Sequence, residues 1–125
     1  MEFGRHALAD LYDCKNNILD NIEEIKKIIN MSCKEANLTI VESKYHKFEP
    51  IGLSGVSILA ESHITIHTWP EYNFVSIDAF TCGHKMDPTL VCNLIADKLK
   101  CNNRDIKEYK RGNKYEWVRN KIIKY

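Results

Sequence analysis

Residues 52–83 read GLSGVSILAESHITIHTWPEYNFVSIDAFTCG, and this stretch decides how the chain folds. It is the densest run of β-branched and aromatic residues in the sequence, a composition that suits a half-buried pleated surface. Residues 55–60 (GVSILA) and 62–69 (SHITIHTW) follow one another with almost no polar loop between them. Pro70-Glu71 stops the second run. Residues 74–81 (FVSIDAFT) alternate as a strand does, and Cys82-Gly83 ends them.

Outward from this core, residues 38–48 (LTIVESKYHKF) have strand composition and are closed by Pro50 and Gly52. Residues 6–14 (HALADLYDC) read as a first strand. Between the two, Ile18, Leu19, Ile22, Ile25, Ile28 and Ile29 recur at three- and four-residue spacing, and Cys33 and Ala36 extend the stripe. This predicts one helix capped by Asn16 or Asn17. Downstream, Asp87-Pro88 is a helix start, with Asp as cap and Pro in the first turn, and Leu90, Val91, Leu94, Ile95 and Leu99 supply an inner face. Residues 105–111 (DIKEYKR) read as a last strand, ended by Gly112. The order strand, helix, three or four strands, helix, strand predicts an α+β fold: an antiparallel β-sheet with two helices packed on one face, a two-layer α/β sandwich. One sheet face then remains open. A second copy covering it is the simple solution, so a homodimer is expected.

At 125 residues the chain is one domain, 1–125, with 44% apolar and 28% charged residues. The formal net charge of +1 makes no case for a nucleic-acid or membrane partner. No apolar run approaches the ~18 residues of a membrane span. The first residues, MEFGRHALADLYD, lack a charged-then-apolar leader pattern, so a cytoplasmic location is expected. From Arg104 onward eight Lys and Arg stand against three acids, which reads as a solvated basic terminus. Five cysteines, an odd number with no C-x-x-C pair, argue against a disulfide framework and a structural zinc site; reduced thiols are expected.

His63 and His67 invite a metal reading. The β-branched run Ile64, Thr65, Ile66 and Thr68 makes this segment a strand, in which four residues span about 13 Å, too far for two ligands on one ion. No metal is therefore expected there. No G-x-S-x-G elbow is present for a serine hydrolase, and nothing resembles a phosphate cup for a lysine-bound pyridoxal cofactor. Ser62, His67 and Cys82 remain as groups that neighbouring strands could bring together. Trp69 reads as a core residue.

The set Glu61-Ser62-His63, Thr65-Ile66-His67-Thr68-Trp69-Pro70-Glu71 and Phe80-Thr81-Cys82-Gly83 closely resembles the short prokaryotic class of S-adenosylmethionine decarboxylase, a pyruvoyl enzyme. Gly4-Arg5-His6 with Cys14 resembles that family's opening strand, and Lys110-Arg111-Gly112 its closing one. The resemblance implies self-cleavage between Glu61 and Ser62, giving a 1–61 chain and a 62–125 chain headed by a pyruvoyl group made from Ser62. It implies that the Ser62 hydroxyl attacks the Glu61 carbonyl, that His67 acts as processing base and that Ser54 assists. Such a group forms a Schiff base with the substrate amine and takes up the electrons released with CO₂, which no ordinary side chain can do. Cys82 matches the proton donor, Phe48 and His67 the base-stacking pair, and Glu71 the ribose-binding carboxylate. The product implied is decarboxylated S-adenosylmethionine, an aminopropyl donor for polyamine synthesis, made by a homodimer of processed pairs.

Two positions depart from the pattern: Asp13 stands where a small residue such as Gly is expected, and His84 follows the Thr-Cys-Gly turn where acids or amides are common. One physical tension also stands. Ser62 and His67 are five residues apart, so in a regular strand they face opposite sides. An irregular backbone near Glu61–Ser62 is therefore expected. Arginine or ornithine as substrate, or a non-catalytic homologue pairing with an active subunit, are the alternatives.

Overall fold

A computed structural model of the chain describes residues 3–60, 62–82, 86–112 and 114. Glu61, His84 and nearly all of the tail beyond Gly112 lie outside the described residues. Six strands form one antiparallel sheet in the order β2-β3-β4-β5-β1-β6. These are β1 (Gly4–Tyr12), β2 (Ile40–Lys47), β3 (Leu53–Leu59), β4 (Ser62–Trp69), β5 (Phe74–Cys82) and β6 (Asn103–Arg111). The strands around the central stretch lie within about two residues of their expected limits. The insertion of β1 between β5 and β6 is what the sequence does not announce.

The long first helix expected from its isoleucine stripe is two helices. A single turn, α1 (Asn16–Leu19), is followed by α2 (Ile22–Glu35). The break falls at Asp20-Asn21, because Asn21 caps α2 by accepting from the Glu24 N–H at 3.1 Å. Asp20 is used elsewhere: its Oδ1 accepts the Gly52 N–H at 2.6 Å and pairs with Lys47 Nζ at 2.9 Å. The third helix, α3 (Pro88–Leu99), starts where Asp87-Pro88 predicts, with Asp87 Oδ1 accepting from the N–H groups of Thr89 and Leu90.

Alternation assigns the two sheet faces. Ala7, Ala9, Leu11, Leu53, Leu59, Ile64, Ile66, Val75, Ile77 and Ala79 are buried beneath the helices. Ile25, Ile28, Ile29 and Cys33 of α2, and Val91, Cys92, Ile95 and Leu99 of α3, close that core. Ala7 pairs directly with Ala79, and two small residues there let α3 lie close over β1 and β5. The other face carries His6, Leu8, Tyr12, Val56, Ile58, His67, Trp69 and Tyr109, with no layer over it among the described residues; all but His6 are exposed. No helix among the described residues is long and apolar enough to cross a membrane.

One expectation needs correction. Cys14 and Cys101 are joined as a disulfide, while Cys33, Cys82 and Cys92 are free. The pair is 87 residues apart in sequence, so spacing could not reveal it. Backbone bonds from Lys15 N to Leu99 O and from Asn102 N to Asp13 O bring the two segments together. The same junction accounts for Asp13, whose φ of 54° is the left-handed conformation that favours glycine. Asp13 fits because its carboxylate accepts from Asn102 Nδ2 at 2.6 Å.

Asp20 ties the α1–α2 break to the loop between β2 and β3. Burial raises its carboxyl pKa, but the Gly52 N–H and the Lys47 ammonium outweigh this and hold it below the usual carboxylate range. A carboxylate lowered in the folded state contributes stability above its unfolded value near ~3.9, and that stability is lost as pH falls through the folded value. Asp20→Ala is expected to cost about 1–3 kcal/mol in urea unfolding at neutral pH, the range for a hydrogen bond to a charged group. The difference from the native chain should shrink as pH drops below ~4. A constant difference across that range would contradict the assignment.

Candidate active site

β4 is a regular strand. It pairs without a register shift to β3 from Ser54↔His67 to Ile58↔His63, and to β5 from Ser62↔Thr81 to Trp69↔Phe74. The irregularity expected at Glu61–Ser62 is therefore absent from Ser62 onward. The physical reason is that β4 is paired on both sides while Ile64, Ile66 and Thr68 are held in the core. Ser62 shares their side of the strand, and His67 faces the open side about 16 Å further along, at ~3.3 Å per residue. Within one chain the two do not meet.

The site residues expected from sequence divide into two groups. At one end of β4, Ser62 opposes Thr81 on the core side, while Cys82, the next residue of β5, turns to the open face. Cys82 is an exposed free thiol. At the other end, Ser54 and His67 are cross-strand partners, with Ser54 Oγ 2.6 Å from His67 Nδ1. A cleft of about 470 Å³ opens there, and Phe48, Ser54, His67, Trp69 and Glu71 are among its lining residues. Trp69 is a cleft residue rather than a core one, 39% exposed and tilted against Phe74 at 5.2 Å.

The loop that walls this cleft is firmly anchored. Gly52 has φ 102°, and a Cβ there would lie 3.1 Å from the Thr68 carbonyl oxygen. The Thr68 hydroxyl accepts from Leu53 N and donates to Leu19 O, joining the loop, β4 and α1. Phe48 packs edge-on against His46 at 4.7 Å.

The family model described as S-adenosylmethionine decarboxylase matches residues 5–112. The chain belongs to that family. It is 49% identical over 109 residues to the S-adenosylmethionine decarboxylase proenzyme of Thermoanaerobacter sp., covering 87% of this chain and 88% of that one. The protein of the same name from Caldicellulosiruptor saccharolyticus is 46% identical over an equal span, again 87% and 88% of the two chains. The crystal structure of the adenosylmethionine decarboxylase from Aquifex aeolicus superposes with a TM-score of 0.83 at 38% identity, covering 89% of this chain and 92% of that one.

A third group was not singled out by sequence. On the open face Asp78 Oδ1 lies 3.1 Å from His6 Nε2 and 3.3 Å from His63 Nε2, while Asp78 Oδ2 accepts from the Thr65 hydroxyl at 2.5 Å. His63 is thus turned to a carboxylate, not toward His67. Strand alternation puts His63, Thr65 and Asp78 on one side, but His6 joins them only because β1 enters beside β5.

The cysteines differ sharply in environment. Burial pushes the Cys33 thiol up to about 11 and the Cys92 thiol to about 12, the latter with help from nearby carboxylates. Native protein treated with iodoacetamide should carry one label, on Cys82, with Cys33 and Cys92 reacting only after unfolding. Peptide mass mapping checks this. Prior labelling of Cys33 or Cys92 would contradict the burial described.

Proposed function

We propose that this chain decarboxylates S-adenosylmethionine through a pyruvoyl group that it makes from its own Ser62. The observation that carries the reading is the cleft that gathers Phe48, Ser54, His67 and Glu71, residues scattered over two strands and two loops. A flat aromatic side chain and a carboxylate are what an adenosyl group and a sulfonium cation require. This favours the adenosyl substrate over arginine or ornithine. The presence of Ser62, His67 and Cys82 together speaks against a non-catalytic homologue.

Ser62 suits the origin of such a group. It is the first residue of β4 and only partly buried, and the exposed Cys82 thiol lies one residue beyond its β5 partner Thr81. In processing, its hydroxyl attacks the carbonyl carbon of residue 61, replacing the peptide bond by an ester. A base then removes the Cα proton of residue 62, the ester carboxylate departs, and hydrolysis with loss of ammonia leaves a ketone. Such a ketone with its adjoining amide would supply the electron sink needed when CO₂ leaves the substrate. Cys82 supplies the proton that replaces CO₂. Phe48 and Glu71 hold the adenosyl part.

His67 cannot reach residue 62 of its own chain. A second copy offers the other route. In an isologous pair stacked through the open sheet faces, a two-fold axis between the sheets and across the strands would lay the backbone of residue 62, approached from the open face that carries Cys82, over the Ser54–His67 end of the other chain. Exposed Leu8, Tyr12, Val56, Ile58 and Tyr109 on that face supply apolar surface for such a homodimer. The product would be the aminopropyl donor of polyamine synthesis.

Denaturing mass spectrometry of the purified protein should give two fragments divided before residue 62, the C-terminal one blocked at its N-terminus. CO₂ should be released from S-adenosylmethionine and not from arginine or ornithine. Ser62→Ala should abolish both cleavage and release. An intact native chain that releases no CO₂ would overturn the proposal.

A further inference from the structure

The Asp78 cluster holds two histidines that are not equivalent. A carboxylate only accepts, so the Nε2 atoms of His6 and His63 are its donors. His6 is then committed at both nitrogens, because its Nδ1 accepts from Arg111 Nη1 at 3.0 Å. His63 Nδ1 has no hydrogen bond among the described residues. An aspartate that holds one ring nitrogen of a histidine and leaves the other as a lone pair is the arrangement that makes a general base. The Arg111 donor on His6 also speaks against reading the three side chains as a metal site, since a ligating Nε2 would require the proton on Nδ1.

The position of His63 matters as much. Its backbone nitrogen closes the carboxamide of residue 62. Its ring stacks on Phe80, 7° from parallel and 5.8 Å between centroids. Phe80 in turn covers Gly4, where a Cβ would come within 2.6 Å of Phe80 Cζ, and Gly4 is the β1 partner of Cys82. The His63–Phe80 plate therefore borders Cys82 and the backbone of residue 62 on the open face. Asp78 is suited to its part. Burial raises its carboxyl pKa, but the Thr65 hydroxyl and the two histidines outweigh this and keep it below the usual range, hence ionised.

We propose that His63, oriented by Asp78, is the base that takes the proton from the substrate's α-ammonium at this site. The inference rests on the pyruvoyl reading above. An ammonium nitrogen has no lone pair and must lose one proton before it can bond to a carbonyl carbon. That proton passes to His63 Nδ1. The nitrogen's second proton passes to the carbonyl oxygen once the C–N bond has formed, and the proton held by His63 is returned to the same oxygen as it leaves as water, so His63 ends neutral and the substrate nitrogen, with its one remaining proton, keeps its positive charge. His63 acts on the reacting nitrogen; Asp78 is a positioning residue.

The test uses the processed full chain. Ring-nitrogen NMR of the native enzyme should show His63 protonated at Nε2 and unprotonated at Nδ1 when neutral, and Asp78→Asn should disturb that state. Sodium cyanoborohydride should trap S-adenosylmethionine on the 62–125 chain, read by mass. His63→Gln should slow trapping at pH 7 on the order of 100-fold, within the range for a general base. Its rate should then rise about tenfold per pH unit as free amine increases, and added imidazole should restore part of it. Trapping by His63→Gln at the native rate and with the native pH profile overturns the inference while leaving the pyruvoyl reading intact. So does a neutral His63 protonated at Nδ1 in the native enzyme, a readout that holds even where His63→Gln fails to cleave. A native chain that neither cleaves nor traps defeats the pyruvoyl reading itself.

Discussion

Everything in this molecule follows from β4 being paired along both of its edges. That double pairing fixes the pleat, so Ile64, Ile66 and Thr68 must point into the helix-covered core while His63, Thr65, His67 and Trp69 face the open side. A shift of one residue would exchange the two sets, placing two imidazoles and a threonine hydroxyl in the core and two isoleucines in solvent. Fully burying one isoleucine contributes about 1.5–3 kcal/mol, so the register is strongly determined. The same constraint forbids the backbone bend that would bring Ser62 and His67 together in one chain.

Much of this was legible in the sequence because it is local. Period-two alternation over residues 62–69 and 74–81, and the Asp87-Pro88 start of α3, report their structure directly. The features that were not legible depend on distant chain segments. Asn21 competes as a helix cap, so the isoleucine stripe is interrupted where periodicity alone runs on. Cys14 meets Cys101, and His6 meets Asp78, only because β1 enters the sheet between β5 and β6. For the site, motif resemblance supplied the residue types and the cleft now groups four of them. What the motif could not convey is that its halves lie at opposite ends of one strand.

This division gives the open face two tasks. In the proposed pair, its exposed apolar residues would provide surface for a second copy, and its polar residues chemistry that the second copy would complete. The Asp20 anchor contributes from the opposite side of the sheet, since it holds the loop that carries Gly52 and walls the cleft. The Asp78 cluster adds a fixed, ionised carboxylate between the two ends, where it can set the tautomers of His6 and His63 without touching the cleft. A straight strand thus becomes compatible with a site that needs groups from both of its ends.

Pairing two defective chains tests this division most directly. Ser62→Ala and His67→Ala chains, each with its own tag, can be produced alone and together, and the mass of every chain measured. Alone, neither should cleave efficiently. Together, a mixed pair contains one site with an intact Ser62 and an intact His67 from opposite chains, so the His67→Ala chain should be cut before residue 62. Failure of the mixture to restore cleavage, or efficient cleavage of the His67→Ala chain by itself, would contradict the account.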